Sequence, residues 1–358
     1  MMRKILIITI FFIFIGSFSI ACGKTIYVDD DGNADYKNIQ NAIDAANSGD
    51  TIIIYSGTYS SSSTVIQIYK QIILKGIETG NDGLPNIQAS ILINSAQIVN
   101  GNIVTNPGAT DRSELKNLHI SSSHPTYPAV QLYDTDYVTI SDCVIESSNN
   151  QGVTITDSYN NIIQDNTIQN SKTGIYFVSN SNDNIVSNNI LENNKGWGGI
   201  CLQSNSNNNK IFKNIIKNNR GMAGIYIYGD SNGNIIYDNE LINNTWYNAY
   251  DQGTNTWYNP ATLSGNYWDD YDGIDANSNG IGDTPYGIAD KDNQDPYPLG
   301  HFNEIQDDET DNNNDKIDDQ NQNTSTTDDE NKNTPGFELI LVILALTIIL
   351  FLKNKNKI

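Results

Sequence analysis

The stretch Asp275-Ala-Asn277-Ser-Asn279-Gly280-Ile281-Gly-Asp283 sets oxygen-bearing side chains at loop positions 1, 3, 5 and 9, with Gly at 6. A hard cation needs several oxygens converging on one point, and alternate residues of a tight turn supply them. The spacing matches the first half of a calcium loop, with the Ile281 carbonyl at position 7. Position 12 is Tyr286 rather than a bidentate Glu. If calcium binds, another group must supply that oxygen, as Asp272, Asp290 or Asp292 could, and Ca²⁺ affinity belongs to the weak extracellular range of about 10⁻⁴–10⁻³ M. The same residues also make an Asn/Asp/Gly turn that needs no ion. Asp311-x-Asn313-x-Asp315 is a poorer second candidate because it lacks the Gly.

Two other residue sets carry chemistry by type and spacing. Asp142 and Asp165 lie 23 residues apart, and Asp238 continues their column after Asn188 and Lys213. If the period is one structural turn, Asp142 and Asp165 stack about 4.8 Å apart. That suits acid–base work by paired carboxylates and equally suits a solvated acidic strip. Tyr133, Tyr176, Tyr226 and Tyr228 fall on the outward side of strand-like segments. Aromatic faces on a rigid sheet fit the C–H side of pyranose rings, although tyrosine is also simply a good strand residue.

What positions these groups is a repeat. Asn166, Asn189, Asn214 and Asn239 recur at spacings of 23, 25 and 25. Ile163, Val186, Ile211 and Ile236 precede them by three residues, and Ile168, Leu191, Ile216 and Leu241 follow by two. A second strand opens at Gly152, Gly174, Gly199 and Gly224. Leu115-x-x-Leu118-x-Ile120 and Ile140-x-x-Cys143-x-Ile145 join the pattern with substitutions. A fixed period with strand-type alternation means stacked coils. No coil buries its own apolar residues, so like must stack on like, and stacked Asn amides satisfy buried turns. A further Asn column at Asn170, Asn193, Asn218 and Asn243 is expected to stack in the same way. The reading is an all-β, right-handed, single-stranded parallel β-helix over 24–260. A C-terminal cap over 261–302 would hold the candidate calcium loop, with Trp246, Trp257 and Trp268 covering the open end or packing across the outer face.

These coils resemble the parallel β-helix repeats of pectin-lyase-like proteins, most closely the NosD-like, carbohydrate-binding and sugar-hydrolase group. Thr25-Ile-Tyr-Val-Asp-Asp-Asp-Gly32 and Gly49-Asp50-Thr51-Ile-Ile-Ile-Tyr55-Ser-Gly57-Thr58-Tyr59 resemble the entry of that group. Between them Ile39, Ala42, Ile43 and Ala46 share one helical face, with Asp35 as N-cap. Such a helix would lid the open strand edges at the start of the stack. The resemblance implies fold more than activity. Lyases of this fold use an Arg base beside calcium carboxylates and hydrolases use clustered Asp, so Arg220 joins Asp142, Asp165 and Asp238 as catalytic candidates. They form no recognised set, which favours a structural or glycan-binding role over a polysaccharide lyase or glycoside hydrolase. The NosD-like resemblance also implies copper handling. His119, His124 and His301 are scattered and Met occurs only at 1, 2 and 222, so the soft-ligand cluster that copper needs is absent.

The two ends speak to location. Arg3 and Lys4, the apolar run 5–15 and the small residues Gly16, Ser17, Ser19 and Ala21 read as a secretory signal over 1–23. Residues 303–334 hold 11 acidic and 2 basic side chains and read as a solvated linker. Pro335-Gly336-Phe337, the apolar run 339–352 and Lys353, Lys355 and Lys357 resemble the PGF-type sorting signal of archaeal surface proteins. That resemblance implies a sorting enzyme of archaeosortase type and a lipid anchor, against a plain transmembrane helix over 335–358 as the alternative. Either way the expected place is the outer face of the cell membrane. The formal charge of −22 disfavours nucleic acid as a partner. Asn243-Asn-Thr245 and Asn323-Thr-Ser325 are glycosylation sequons. Cys143 and Cys201 fall two coils apart, too far to bridge.

Overall fold

A computed structural model of the protein describes residues 23–78, 83–99, 102–105 and 108–300. The chain divides into units 1–306 and 307–358, and every described residue belongs to the first. The signal segment, the linker, Asn323, the Pro335-Gly336-Phe337 motif and the apolar run 339–352 lie outside the described residues.

Each coil contributes one strand to each of three faces. The first face is a nine-stranded parallel sheet running from Thr25–Val28 through Asp50–Tyr55 and Ile72–Ile77 to Ile235–Tyr237. The second collects His119–Ser122, Val144–Ser147, Thr167–Gln169 and their successors, ending at Tyr267–Trp268. The third collects Val130–Tyr133, Val153–Thr156, Thr173–Val178, Gly198–Leu202, Ala223–Ile227, Ala249–Asp251 and Ala289–Asp290. The long strand Asn86–Asn94 joins the last two faces, pairing with His119 and Ile120 at its start and with 130–133 at its end. Parallel pairing thus extends beyond residue 260, since Glu240–Leu241 pairs with Tyr267–Trp268 and Tyr250–Asp251 with Ala289–Asp290. This is a parallel β-solenoid.

Like stacks on like in register. Ile163 pairs with Val186, Val186 with Ile211 and Ile211 with Ile236; Ile168, Leu191, Ile216 and Leu241 do the same. All eight are fully buried. The glycines that open the third-face strands sit where coils approach too closely for a side chain. A Cβ on Gly174 would stand 2.5 Å from the Gly199 carbonyl oxygen, and one on Gly224 2.7 Å from that of Asn248.

A single device turns each of the three corners. One residue takes the left-handed conformation, which Asn and Asp tolerate best, and the next points inward and is buried. At the first corner Asp142, Asp165, Asn188, Lys213 and Asp238 have φ between 54° and 58°. Asn166, Asn189, Asn214 and Asn239 follow as a ladder that continues to Asn266. Each carboxamide oxygen accepts both the backbone N–H and the side-chain N–H of the Asn one coil earlier, as from Asn166 to Asn189 Oδ1 at 3.0 Å each. Cys143 heads this ladder, donating its backbone N–H to Asn166 Oδ1 at 3.0 Å. The third corner carries an equivalent ladder of Asn161, Asn184, Asn209, Asn234 and Asn255.

At the second corner the expected column is corrected by one residue. Asn170, Asn193, Asn218 and Asn243 are the left-handed residues, with φ of 56°, 58°, 55° and 50°. The inward ladder is Ser171, Asn194 and Asn219, all buried, and half-buried Asn244. Near the N-terminus the helix spans Ile39–Ala45 and its cap is Asn38, whose side chain accepts from Asn41 N. Asp35 instead accepts the Tyr27 N–H at 3.0 Å. A hairpin of Ala96–Val99 with Asn102–Thr105, not expected from the repeat, leaves the stack.

The far end is closed by Trp257 and Trp268, both fully buried. Each indole N–H finds a buried carboxylate: Trp257 Nε1 donates to Asp251 at 2.9 Å and Trp268 Nε1 to Asp295 at 3.0 Å. Trp246 does not belong to this plug, being 74% exposed. Among the described residues no helix is long and apolar enough to cross a membrane.

Candidate functional site

The outer side of the third face carries a row of aromatic residues. One outward column runs Gln131, Thr154, Tyr176, Cys201, Tyr226 and Tyr250 in consecutive register. Tyr133 is exposed but lies four coils from Tyr226, about 19 Å away at 4.8 Å per coil. The four tyrosines singled out by spacing therefore do not make one platform. Tyr176 and Tyr226 pack over Cys201, which is buried outside the main core. The Tyr226 ring lies 4.8 Å from that of Tyr250 at an interplanar angle of 2°, and 5.2 Å from Trp197. Tyr228 flanks Tyr226 at 6.4 Å and is 50% exposed. Tyr247 extends the row at 5.7 Å from Tyr250. Burial, with Tyr250 next in effect, pushes the Tyr226 hydroxyl up to about 12, so that hydroxyl stays protonated throughout the physiological range.

Trp197, Tyr247 and Tyr250 were not singled out by the sequence. Tyr250 continues the Tyr226 column one coil on, a signal hidden because the apolar pattern dissolves there. The row ends at a cleft of about 300 Å³ lined by Trp246, Tyr247, Asn248, Asp270, Tyr286 and Ile288, among others. Trp246 has φ 69°, a rare conformation for a bulky side chain. Asn248 is buried and donates its Nδ2 to Asp269 at 2.7 Å and to Asp270 at 2.8 Å. The Tyr286 hydroxyl donates to Asp270 at 3.0 Å. Burial first, and then the Asp270 charge, raise the pKa of Tyr286.

The acidic candidates are corner residues. Asp142, Asp165 and Asp238 occupy the left-handed position of the first corner. Asp142 is paired with Lys116 at 3.3 Å, and Asp238 accepts a hydrogen bond from the Ser264 hydroxyl. Arg220 sits at the second corner, across the 215–217 strand from them, so the fold does not bring it to these carboxylates.

In the Asp275–Asp283 turn the oxygens serve the turn's own backbone. Asp275 accepts from Asn279 N at 3.1 Å and Gly280 N at 2.7 Å; Asn279 Oδ1 accepts from Ile281 N at 2.9 Å; Asp283 accepts from Ala276 N at 2.8 Å. Asn277 Oδ1 accepts from Asn279 N at 3.0 Å. Carboxylate and amide oxygens keep further lone pairs for an ion. The sequon residue Asn243 is exposed, with its Nδ2 donating to Asn218 at 2.8 Å.

Soft-metal donors are dispersed. His124 Nδ1 accepts the backbone N–H groups of Thr126 and Tyr127. His119 lies 3.9 Å from Glu146. Burial pushes the Cys143 thiol up to about 12 and raises that of Cys201 as well. Among the described residues no three His, Cys, Asp or Glu side chains converge on a metal-sized point. The described residues do not fit a copper centre.

Stacked coils, three faces and amide-lined corners define a pectin-lyase-like parallel β-helix. Within that class the chain belongs to the NosD family, whose model, described as periplasmic copper-binding protein (NosD), matches residues 43–273. No curated protein matches the chain in sequence. Among solved structures, the catalytic domain of a GH87 alpha-1,3-glucanase in complex with nigerose is 16% identical, with TM-score 0.51, covering 78% of this chain and 49% of its own. An alginate lyase from Paenibacillus sp. str. FPU-7 is 14% identical, with TM-score 0.46, covering 69% and 88% respectively. The pectate lyase Pel9A is 12% identical, with TM-score 0.38, covering 70% and 75%. The chain spans about half the length of the glucanase domain. These likenesses are of fold.

Proposed function

We propose that the protein is a cell-surface β-helix that binds polysaccharide on the outer side of its third face, near the C-terminal end of the stack. The observation that carries the reading is the row of rings Trp197, Tyr226, Tyr228, Tyr250 and Tyr247 on a rigid sheet. Aromatic rings on an inflexible support bind the apolar faces of sugars at little entropic cost; the exposed rings here are Trp197, Tyr228 and Tyr247, beside buried Tyr226 stacked on Tyr250. Of the tyrosines chosen by spacing, Tyr226 and Tyr228 belong to this row, Tyr176 borders it, and Tyr133 would at most meet a distant part of a long chain. The glucanase complex with nigerose supports a carbohydrate ligand by analogy of fold.

Catalysis by a lyase or hydrolase mechanism is the rival. It is the weaker reading because Asp142, Asp165 and Asp238 serve as corner residues and Arg220 is remote from them. A glycan array run beside a reducing-sugar release assay separates the two: binding without release is expected, and release abolished by Asp142→Asn with Asp165→Asn would establish the rival. Secretion by the 1–23 segment, anchoring through 335–358 after sorting by an archaeosortase-type enzyme, and sugar on Asn243 and Asn323 belong to the same proposal. So does Ca²⁺ at Asp275, Asn277, Asn279, Ile281 and Asp283. Intact-mass analysis of the mature protein reads the cleavages, lipid and glycans. A thermal melt unchanged by chelator would remove calcium from it.

A further inference from the structure

The end cleft differs in chemistry from the aromatic row that leads into it. Its wall is apolar and aromatic, from Trp246, Tyr247, Tyr286 and Ile288, yet the Asp270 carboxylate lines it and the Asp269 carboxylate is tied to the same Asn248 amide. Both carboxylates are held in place. Buried Asn248 donates to each, Asn243 N–H donates to Asp269, and the Tyr286 hydroxyl donates to Asp270. The ion pairs among the described residues are Lys116–Asp142, His119–Glu146 and Lys217–Glu192, so no described Lys or Arg pairs with either carboxylate. Two fixed negative charges beside exposed aromatic faces form an environment that favours a cation carried on an apolar skeleton. The charge of the whole chain, −22, of which the 303–334 segment supplies 9, steers the same class of ligand.

We propose that this cleft selects a sugar carrying a free ammonium group, a glucosamine-type unit of a cationic polysaccharide. The ring packs against Trp246 and Tyr247, and the ammonium donates to Asp270 and Asp269. This rests on the carbohydrate-binding reading and narrows its ligand from any glycan to an amino sugar. The exposed Trp246, held at a left-handed φ beside the cleft, is the contact that the reading requires to be energetically important.

Calorimetric titration of the full-length protein with three hexasaccharides tests it: a β-1,4-glucosamine hexamer, its fully N-acetylated counterpart, and cellohexaose. The glucosamine hexamer is expected to bind at least about tenfold more tightly than either neutral hexamer. Asp270→Asn should remove that preference, and Trp246→Ala should weaken glucosamine binding about tenfold or more, with the thermal melt of both variants unchanged. Equal affinity for all three hexamers overturns the amino-sugar inference while leaving carbohydrate binding standing. Glucosamine binding that survives both substitutions is adsorption of a polycation to an acidic protein and also overturns it. No binding to any hexamer overturns the amino-sugar inference, and absence of signal across the glycan array overturns the carbohydrate reading as well.

Discussion

The coils between residues 152 and 245 and the segment from 246 to 300 are built on opposite terms. In the first, each inward position repeats a neighbour, every corner amide is satisfied by the next coil, and the stacked Asn are at most 2% exposed at the first and third corners. In the second, the period fails, Trp246 stands 74% exposed, and the Asp270 carboxylate lines a cleft, with Asp269 tied to the same Asn248 amide. Regularity makes a stiff support; the aromatic row starts on its outer face at Trp197, Tyr226 and Tyr228 and runs on to Tyr250 and Tyr247, where the repeat ends.

That contrast is open to substitution. The largest loss is expected in the regular coils from Asn214→Leu. Asn214 Oδ1 accepts from Asn189 N and Nδ2, and its Nδ2 donates to Val186 O, Phe212 O and Asn239 Oδ1. Losing it strands groups on three coils, and at about 1–3 kcal/mol for each buried unsatisfied group denaturant melts should show a loss of at least about 5 kcal/mol. A loss below about 1 kcal/mol would mean the ladders are not structural. Trp268→Ala, which opens the plug and takes one of its donors from the buried Asp295 carboxylate, should cost about 4 kcal/mol in the same assay.

Smaller effects should mark the residues that serve binding or merely turn a corner. Tyr228→Ala on the aromatic row is expected to change stability by no more than about 0.5 kcal/mol while reducing glycan binding about tenfold. Asp165→Asn keeps the left-handed conformation that Asn shares, so its melt should shift by less than about 0.5 kcal/mol. A larger shift would assign Asp165 a tertiary role the corner does not give it. Smallest of all, Cys143 and Cys201 should resist alkylation at pH 8 in the native state, since burial keeps both thiols protonated. Rapid labelling would show that the coils open.

The stack was legible in the sequence because its inward columns and the first Asn ladder share one motif, apolar-x-x-Asn-x-apolar. The other two ladders were less so, for a local reason. At the second corner most coils carry an Asn doublet, such as Asn193-Asn194 or Asn218-Asn219, and the letters alone do not say which Asn turns the chain and which is buried. The third-corner Asn161, Asn184, Asn209 and Asn234 sit against the start of the next strand, within runs already rich in Asn. The acidic column at Asp142 and Asp165 looked chemical because Asp suits both catalysis and a left-handed turn. The aromatic row was half seen: Tyr226 and Tyr228 lie in strands the period marks, whereas Trp246, Tyr247 and Tyr250 lie where it stops. Exposure separated Trp246 from the buried Trp257 and Trp268, and composition carries no such information.

The most direct measurement is a glycan array of the full-length protein run beside a Trp197→Ala, Tyr228→Ala double variant of matched thermal stability. Signal on at least one glycan class, lost in the variant, is the predicted result. Absence of signal from the parent, or signal indifferent to the two substitutions, would contradict recognition by the aromatic end of the rod.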